Sequence, residues 1–357
     1  MTFLANAWSH IWPILAALLF FGLIIMTHEL GHFLAAKLFK VKVNEFSVGM
    51  GPAIFKKKKK ETQYSIRLLP VGGYVAMEGE EESSDDPNAF NNKPAWKRGI
   101  ILLAGAFVNL LTGVIIMAVI LGSSDLIGVP QIAGFQEGAN PSSYSQGLRK
   151  GDRIIAVNDQ RVYTEYDLSY YMMRDPDGVM DFVVKRGGQE KVLRSIKYQQ
   201  KEIEGQSTVI FDFAIVGVKP TFGNVAKYAF LDSASVARIV WDSLIDLVTM
   251  NYKVSELSGP VGTVDIMAKT ATKAVETTNY TSLLTILAFI AINVGVFNLI
   301  PFPALDGGQF VFVIIEGIIR KPLSQKFKSS VNAAGLFLLF SLMAVVTVSD
   351  IMKLIHH

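Results

Sequence analysis

The 357-residue chain contains no cysteine. That excludes a disulfide framework, a thiolate metal site and a cysteine nucleophile, so any bound metal must be held through nitrogen and oxygen. Histidine is scarce as well. There are five in all; His10, His356 and His357 are terminal, which leaves His28 and His32 as the interior pair. The formal net charge of +3 is too small to point to nucleic acid, and none is expected as a partner. No basic n-region and no small-residue cleavage site precede His28, which argues against a removable signal peptide. An internal repeat with corresponding broken helices, the habit of transporters, is also missing.

What is present is apolar. Hydrophobic residues make up 50% of the chain and the mean hydropathy is +0.35, which reads as a membrane protein. Long apolar runs predict transmembrane helices over about 11–38, 99–121, 283–300 and 331–349, each long enough for a hydrocarbon core of roughly 30 Å. Lys37, Lys40, Lys42 and the run Lys56–Lys60 follow the first span, Lys93, Lys97 and Arg98 precede the second, and Arg320, Lys321, Lys326 and Lys328 lie between the last two. By the positive-inside rule these ends are cytoplasmic, so both termini and the long 125–220 insertion are expected outside. Trp96 suits the headgroup boundary.

Inside the first span lies His28-Glu29-Leu30-Gly31-His32. Residues four apart share a helix face, so both imidazoles can bind one Zn²⁺ while Glu29 activates a water. Two imidazoles and a carboxylate are too costly to bury idle at membrane depth. The third apolar run ends at Asn298-Leu299-Ile300-Pro301-Phe302-Pro303-Ala304-Leu305-Asp306-Gly307-Gly308, where two prolines and two glycines must break the helix while still near membrane depth. The break delivers Asp306, an acid that wants a metal as its partner, and a catalytic zinc site with His28 and His32 has room for it as the third ligand.

Between the first two spans, Tyr64–Leu69 and Tyr74–Met77 read as two short strands around the turn Val71-Gly72-Gly73, a β-hairpin over about 63–77 that is either a surface hairpin or one that dips back towards the metal, where its free edge could pair with an extended substrate. The acidic stretch 78–92 reads as a mobile loop with little to bury. Asn109 is expected to hydrogen-bond between helices, and Glu316 to pair with Arg320 one turn on. Residues 125–220 form a β-rich module with a polar loop at Asn140–Gln146. The stretch Gly147-Leu148-Arg149-Lys150-Gly151-Asp152-Arg153-Ile154-Ile155-Ala156-Val157-Asn158 resembles PDZ domains, which take a peptide as an added strand, although Asp159 stands where a glycine is usual. Amphipathic helices are expected at about 224–250 and 263–275, the second after the break Ser258-Gly259-Pro260-Val261-Gly262.

Together these motifs, with Val71-Gly72-Gly73-Tyr74 and Ala104-Gly105 followed by Asn109, resemble the site-2 protease family of intramembrane zinc metalloproteases, in its bacterial branch with a single PDZ domain. The resemblance implies a polytopic α-helical membrane protein with about four transmembrane helices, an inserted extracytoplasmic PDZ-like domain and a membrane re-entrant β-hairpin. The divisions are then 1–122 and 281–357 for the two halves of the membrane core, 125–220 for the PDZ-like domain and 221–280 for the amphipathic helices. It implies a multi-pass protein of the bacterial plasma membrane with its active site near the cytoplasmic side, in contact with lipid. It further implies zinc on His28, His32 and Asp306, Glu29 as general base, and substrate contacts from Gly72, Gly73, Tyr74, Asn298, Pro301 and Pro303. Expected substrates are single-span proteins such as anti-sigma factors or remnant signal peptides, already trimmed by another protease. One departure is Ala106, where the family often has proline. The reading from a different class is a non-catalytic metal-binding scaffold or a metal transporter.

Overall fold

Leucine, isoleucine, phenylalanine and alanine dominate the long runs, and in the absence of water such runs satisfy their backbone only as helices. The computed structural model describes residues 3–80, 82–136, 143–175, 177–203, 206–249 and 259–356. Ser258, His357 and part of the Asn140–Gln146 loop lie outside them. Among the described residues, four helices are long and apolar enough to cross a membrane: α1 (Phe3–Leu38), α2 (Ala95–Ser123), α6 (Thr281–Leu299) and α8 (Gln325–His356). The protein is a multi-pass membrane protein.

The chain folds as two compact units, Met1–Gly113 with Ser243–His357, and Val114–Asp242. In the first, α1 packs against α5 (Pro260–Thr277) and α6, while α7 (Asp306–Ile319) follows the break after α6. The C-terminal end of α1 and the N-terminal end of α2 share a core of Ala36, Val41, Val43, Ile101, Leu102, Phe90 and Val313. The buried carboxylate of Asp350, on α8, accepts from the backbone N–H of Gly259 (3.2 Å) and of Gly262 (2.8 Å) at the start of α5. It meets the orphan donors and the positive dipole end of that helix.

The hairpin differs from its sequence reading. Its strands are β1 (Val43–Lys59) and β2 (Thr62–Met77), and its turn is Lys60–Glu61, not Gly72–Gly73. Glu45–Val48 of β1 pairs on one side with Gly73–Ala76, with numbers running in opposite senses, and on the other with Gln63–Ile66, with numbers rising together. The two runs taken from sequence as hairpin partners therefore flank a third strand. Gly72, at φ +82°, supplies the left-handed step that carries β2 from one side to the other. The 78–92 stretch, expected to be loose, is tied down: Glu78 N–H donates to Lys42 O, Lys42 N–H to Asn88 O, and Lys42 pairs with Asp86 at 3.1 Å. Phe90 anchors it in the core. Glu316 also differs. It is buried and pairs with Arg98 (2.6 Å) and Lys328 (3.4 Å), joining α7 to α2 and α8; α7 ends at Ile319 and Arg320 takes a left-handed φ of +53°, so the helical i,i+4 spacing to Arg320 is broken.

The second unit holds a six-stranded sheet: β3 (Ile127–Phe135), β4 (Arg153–Val157), β5 (Gln160–Arg161), β6 (Val179–Arg186), β7 (Gln189–Lys197) and, after a small hairpin β8–β9 (Gln200–Ile203, Gln206–Val209), β10 (Phe213–Val218). The order is β10-β3-β4-β6-β7, with β5 paired to β4. Ile132, Ile154, Met172, Phe182, Val184 and Ile196 fill its core beneath α3 (Glu165–Met173). Asp152, fully buried, is held by Arg186 through two 2.7 Å bonds. Within this unit α4 (Phe222–Val248) lies against α3: Ser235 Oγ donates to Asp167 Oδ2 (2.8 Å), Arg238 pairs with Asp167 (2.6 Å), and Tyr171 Oη donates to Asp242 (2.7 Å).

Candidate metal centre

His28 and His32 stand one turn apart on α1, both 7% exposed, with their Nε2 atoms 3.1 Å from each other. Asp306 Oδ2 lies 2.9 Å from Nε2 of His28 and 3.2 Å from Nε2 of His32. Among the described residues, this is the one group of three potential ligands whose atoms all fall within 4.8 Å. Asp306 opens α7, where the positive end of the helix dipole favours its charge. The segment ahead of it folds back tightly: a Cβ at Gly308 would stand 2.2 Å from Phe302 O, so only glycine lets the first turn of α7 sit on the Pro-rich bend.

The donor set fits a cation. Nδ1 of His32 is 2.8 Å from Ile101 O, and since a carbonyl can only accept, Nδ1 carries the proton and Nε2 presents its lone pair inward. Asp306 Oδ2 is buried without a hydrogen-bond donor. Lone pairs and a carboxylate oxygen facing one point at about 3 Å repel unless a cation lies between them. Two imidazole nitrogens and one carboxylate oxygen match the three-ligand sets of catalytic zinc sites, which leave a position open.

Glu29 is half-buried on the same helix. Its side chain passes the Gly73 backbone closely enough that a Cβ there would be 3.6 Å from Glu29 Cγ, and its carboxylate accepts a hydrogen bond from the Val75 backbone. The Gly73–Ala76 run thus has β1 on one side and Glu29 on the other. Gly72 and Gly73 are buried. Tyr74 faces a polar knot: Arg67 donates to Tyr74 Oη (2.5 Å), Ser47 Oγ (2.8 Å), Gly51 O (2.7 Å) and Glu45 (2.8 Å). The hydrogen bonds of Ser65, Arg67 and Tyr74 overcome desolvation and hold the Glu45 carboxyl down at about 2. Asn298 is half-buried, its amide donating to Val294 O (2.9 Å) within α6. Pro301 is exposed, and Pro303 is half-buried beneath α8, where a Cβ at Gly335 would meet it at 2.5 Å.

Ala104–Gly105 brings α2 onto the histidines, and α2 runs unbroken through Ala106. Two neighbours escaped the sequence reading. Thr27 contacts Asn109, which in turn contacts His28. Glu80, assigned by composition to an acidic loop, lies within electrostatic reach of His32, Asp306 and Glu29, and desolvation lifts its carboxyl to about 7. Only the fold of the loop brings it there.

The family model described as Peptidase family M50 matches residues 16–342. The chain belongs to this peptidase family. A relative in Clostridium acetobutylicum that carries a zinc metalloprotease name is 37% identical over 95% of this chain and 97% of its own length. A relative of like name in Clostridium perfringens is 36% identical over 95% and 98%. The regulator of sigma-W protease RasP of Bacillus subtilis is 28% identical over 96% and 98%. The M50 match runs from the first span into the last and brackets the β-rich unit.

Proposed function

We propose that this M50 protein is an intramembrane zinc endopeptidase that cleaves the transmembrane segments of single-span proteins. The observation that carries the reading is the convergence of His28, His32 and Asp306 beside Glu29, on a helix apolar enough to span the bilayer. When bound to these three residues, Zn²⁺ supplies Lewis-acid polarisation of the scissile carbonyl and lowers the pKa of a water. Glu29 accepts the proton of that water and returns it to the leaving amine. A transmembrane helix has its carbonyls tied up in its own hydrogen bonds, so it must unwind to react. The Gly72–Tyr74 run beside Glu29 then aligns the opened segment as an added strand, and Asn298 with the bend at Pro301 and Pro303 receives its exposed backbone.

The substrates in this reading are anti-sigma factors and remnant signal peptides that another protease has already shortened; the name of the Bacillus subtilis relative supports a link to sigma-factor control. The β-rich unit is read as an extracytoplasmic PDZ-like domain that binds or screens the outer part of the substrate. Lysines and arginines at the inner ends of the spans support a plasma-membrane topology with both termini outside and the site near the cytoplasm. Glu29 beside the ligands favours an enzyme over a metal-binding scaffold or transporter, neither of which needs a base there. The test is Glu29→Gln: zinc content should hold while cleavage of a model single-span substrate is lost. Undiminished cleavage would overturn the assignment.

A further inference from the structure

Behind His28 a line of polar atoms joins α1 to α2. Thr27 Oγ1 is 2.8 Å from Ile24 O and 2.9 Å from Asn109 Oδ1, and Asn109 Nδ2 is 3.5 Å from His28 Nδ1. Asn109 is fully buried. Taken with those atom names, the line has too few protons at one end: the single hydroxyl proton of Thr27 faces two oxygens, and only one can receive it. At the other end, an amide N–H directed at His28 Nδ1 requires that nitrogen to be bare, which places the ring proton on Nε2, the atom aimed at Asp306 and His32.

The two ends of a side-chain amide are nearly identical in shape, so proton count decides which faces which. We infer that Asn109 is held with its amide reversed, as a proton relay that fixes His28 in the metal-binding tautomer. Asn109 N–H donates to Thr27 Oγ1, Thr27 O–H donates to Ile24 O, and the amide oxygen accepts from His28 Nδ1–H. Each contact along the line then pairs one donor with one acceptor, and Nε2 of His28 is left with a lone pair. His32 reaches the same state by a different partner, Ile101 O. Both outer contacts come from α2, one from a side chain and one from the backbone, so α2 sets the tautomer of both histidines. Thr27 matters because, among the described residues, it is the acceptor that the reversed amide N–H meets; without it the amide is free to turn over. Asn109 and Thr27 are positioning residues in this scheme.

The inference rests on the zinc-site reading, and its test separates the two. Zinc affinity is measured on the full-length protein in detergent by competition with a chromophoric chelator, and the tautomer is read from ¹⁵N shifts of labelled histidine in metal-free Asp306→Ala protein, where no carboxylate draws a proton onto Nε2. That variant should show Nδ1 of His28 protonated and Nε2 bare. Asn109→Ala should weaken zinc about 10–100-fold, the usual cost of losing an outer partner. Asn109→Leu, which restores bulk without polarity, should be as weak as Asn109→Ala. Asn109→Asp, an acceptor only, should stay within about threefold of wild type, and Thr27→Val should give a mixture of His28 tautomers. A His28 proton on Nε2 in the metal-free Asp306→Ala protein overturns the relay. Wild-type affinity in Asn109→Leu, with unchanged thermal unfolding, also overturns it and leaves Asn109 as packing. Failure of the wild type to take up zinc would instead sink the zinc reading, and the tautomer would still judge the relay.

Discussion

Gly105 of α2 lies so close to His32 of α1 that a Cβ at its α-carbon would stand 2.4 Å from the Nε2 atom and 2.8 Å from Nε2 of His28. The position is glycine because the imidazoles occupy the space of its side chain. Gly105→Ala must push the rings out of register. We expect roughly 10²-fold loss of kcat/KM on a model transmembrane substrate, of the size that small misplacements cause, with unfolding temperature little changed. Activity within threefold of wild type would show that the rings have room to retreat.

Glu316 pairs with Arg98 and Lys328 while only 3% of its side chain is exposed. Removing one member of such a group strands the others. Glu316→Ala should cost on the order of 3–5 kcal/mol, read as a fall in the denaturation midpoint in detergent, whereas Lys328→Ala should cost far less. Equal and small effects from both would show that water reaches the cluster.

Asp232, buried on α4, has its carboxyl raised to about 8 by desolvation and by the charges of Glu165 and Asp167. Because the folded value lies above the unfolded 3.8, the neutral form favours folding. Its stabilisation is complete below about pH 4 and is lost as pH rises through 8. Asp232→Asn should therefore stabilise the protein at pH 8 and be near neutral at pH 4. A shift in melting temperature that is the same at both pH values would refute this.

Asp350 caps α5 from α8. Asp350→Ala should destabilise by about 1–2 kcal/mol, the range for lost caps, and Asp350→Asn by less, since an amide oxygen still accepts. Protease accessibility near Gly259 reports the same loss directly; no change in it would argue against the cap.

Which parts of this were readable in advance follows from how local the signals are. His28, Glu29 and His32 are separated by helix spacing alone, and the chemistry of burying them left few alternatives. Asp306 was readable because Pro301, Pro303, Gly307 and Gly308 announce a broken helix at depth. The spans followed from apolar length. The β1–β2 arrangement did not, since Lys56–Lys60 looks like any solvated run and nothing in Glu45–Val48 says that it divides two later runs. Glu316 and Glu80 were misjudged for a related reason: Arg98 and His32 are remote in sequence, and a charge pattern read along one helix or loop cannot register them.

The three convergent atoms proposed as ligands come from opposite ends of the polypeptide: the histidines from its first helix and the aspartate from the residues after its third span. During synthesis the nascent chain carries both imidazoles and the adjacent glutamate into the membrane long before the aspartate has been translated. A partly made copy lacks the full set of ligands and, in this reading, cannot attack its neighbours. Completion of the last third of the chain thus doubles as a safety catch, and zinc occupancy becomes a direct assay for finished assembly.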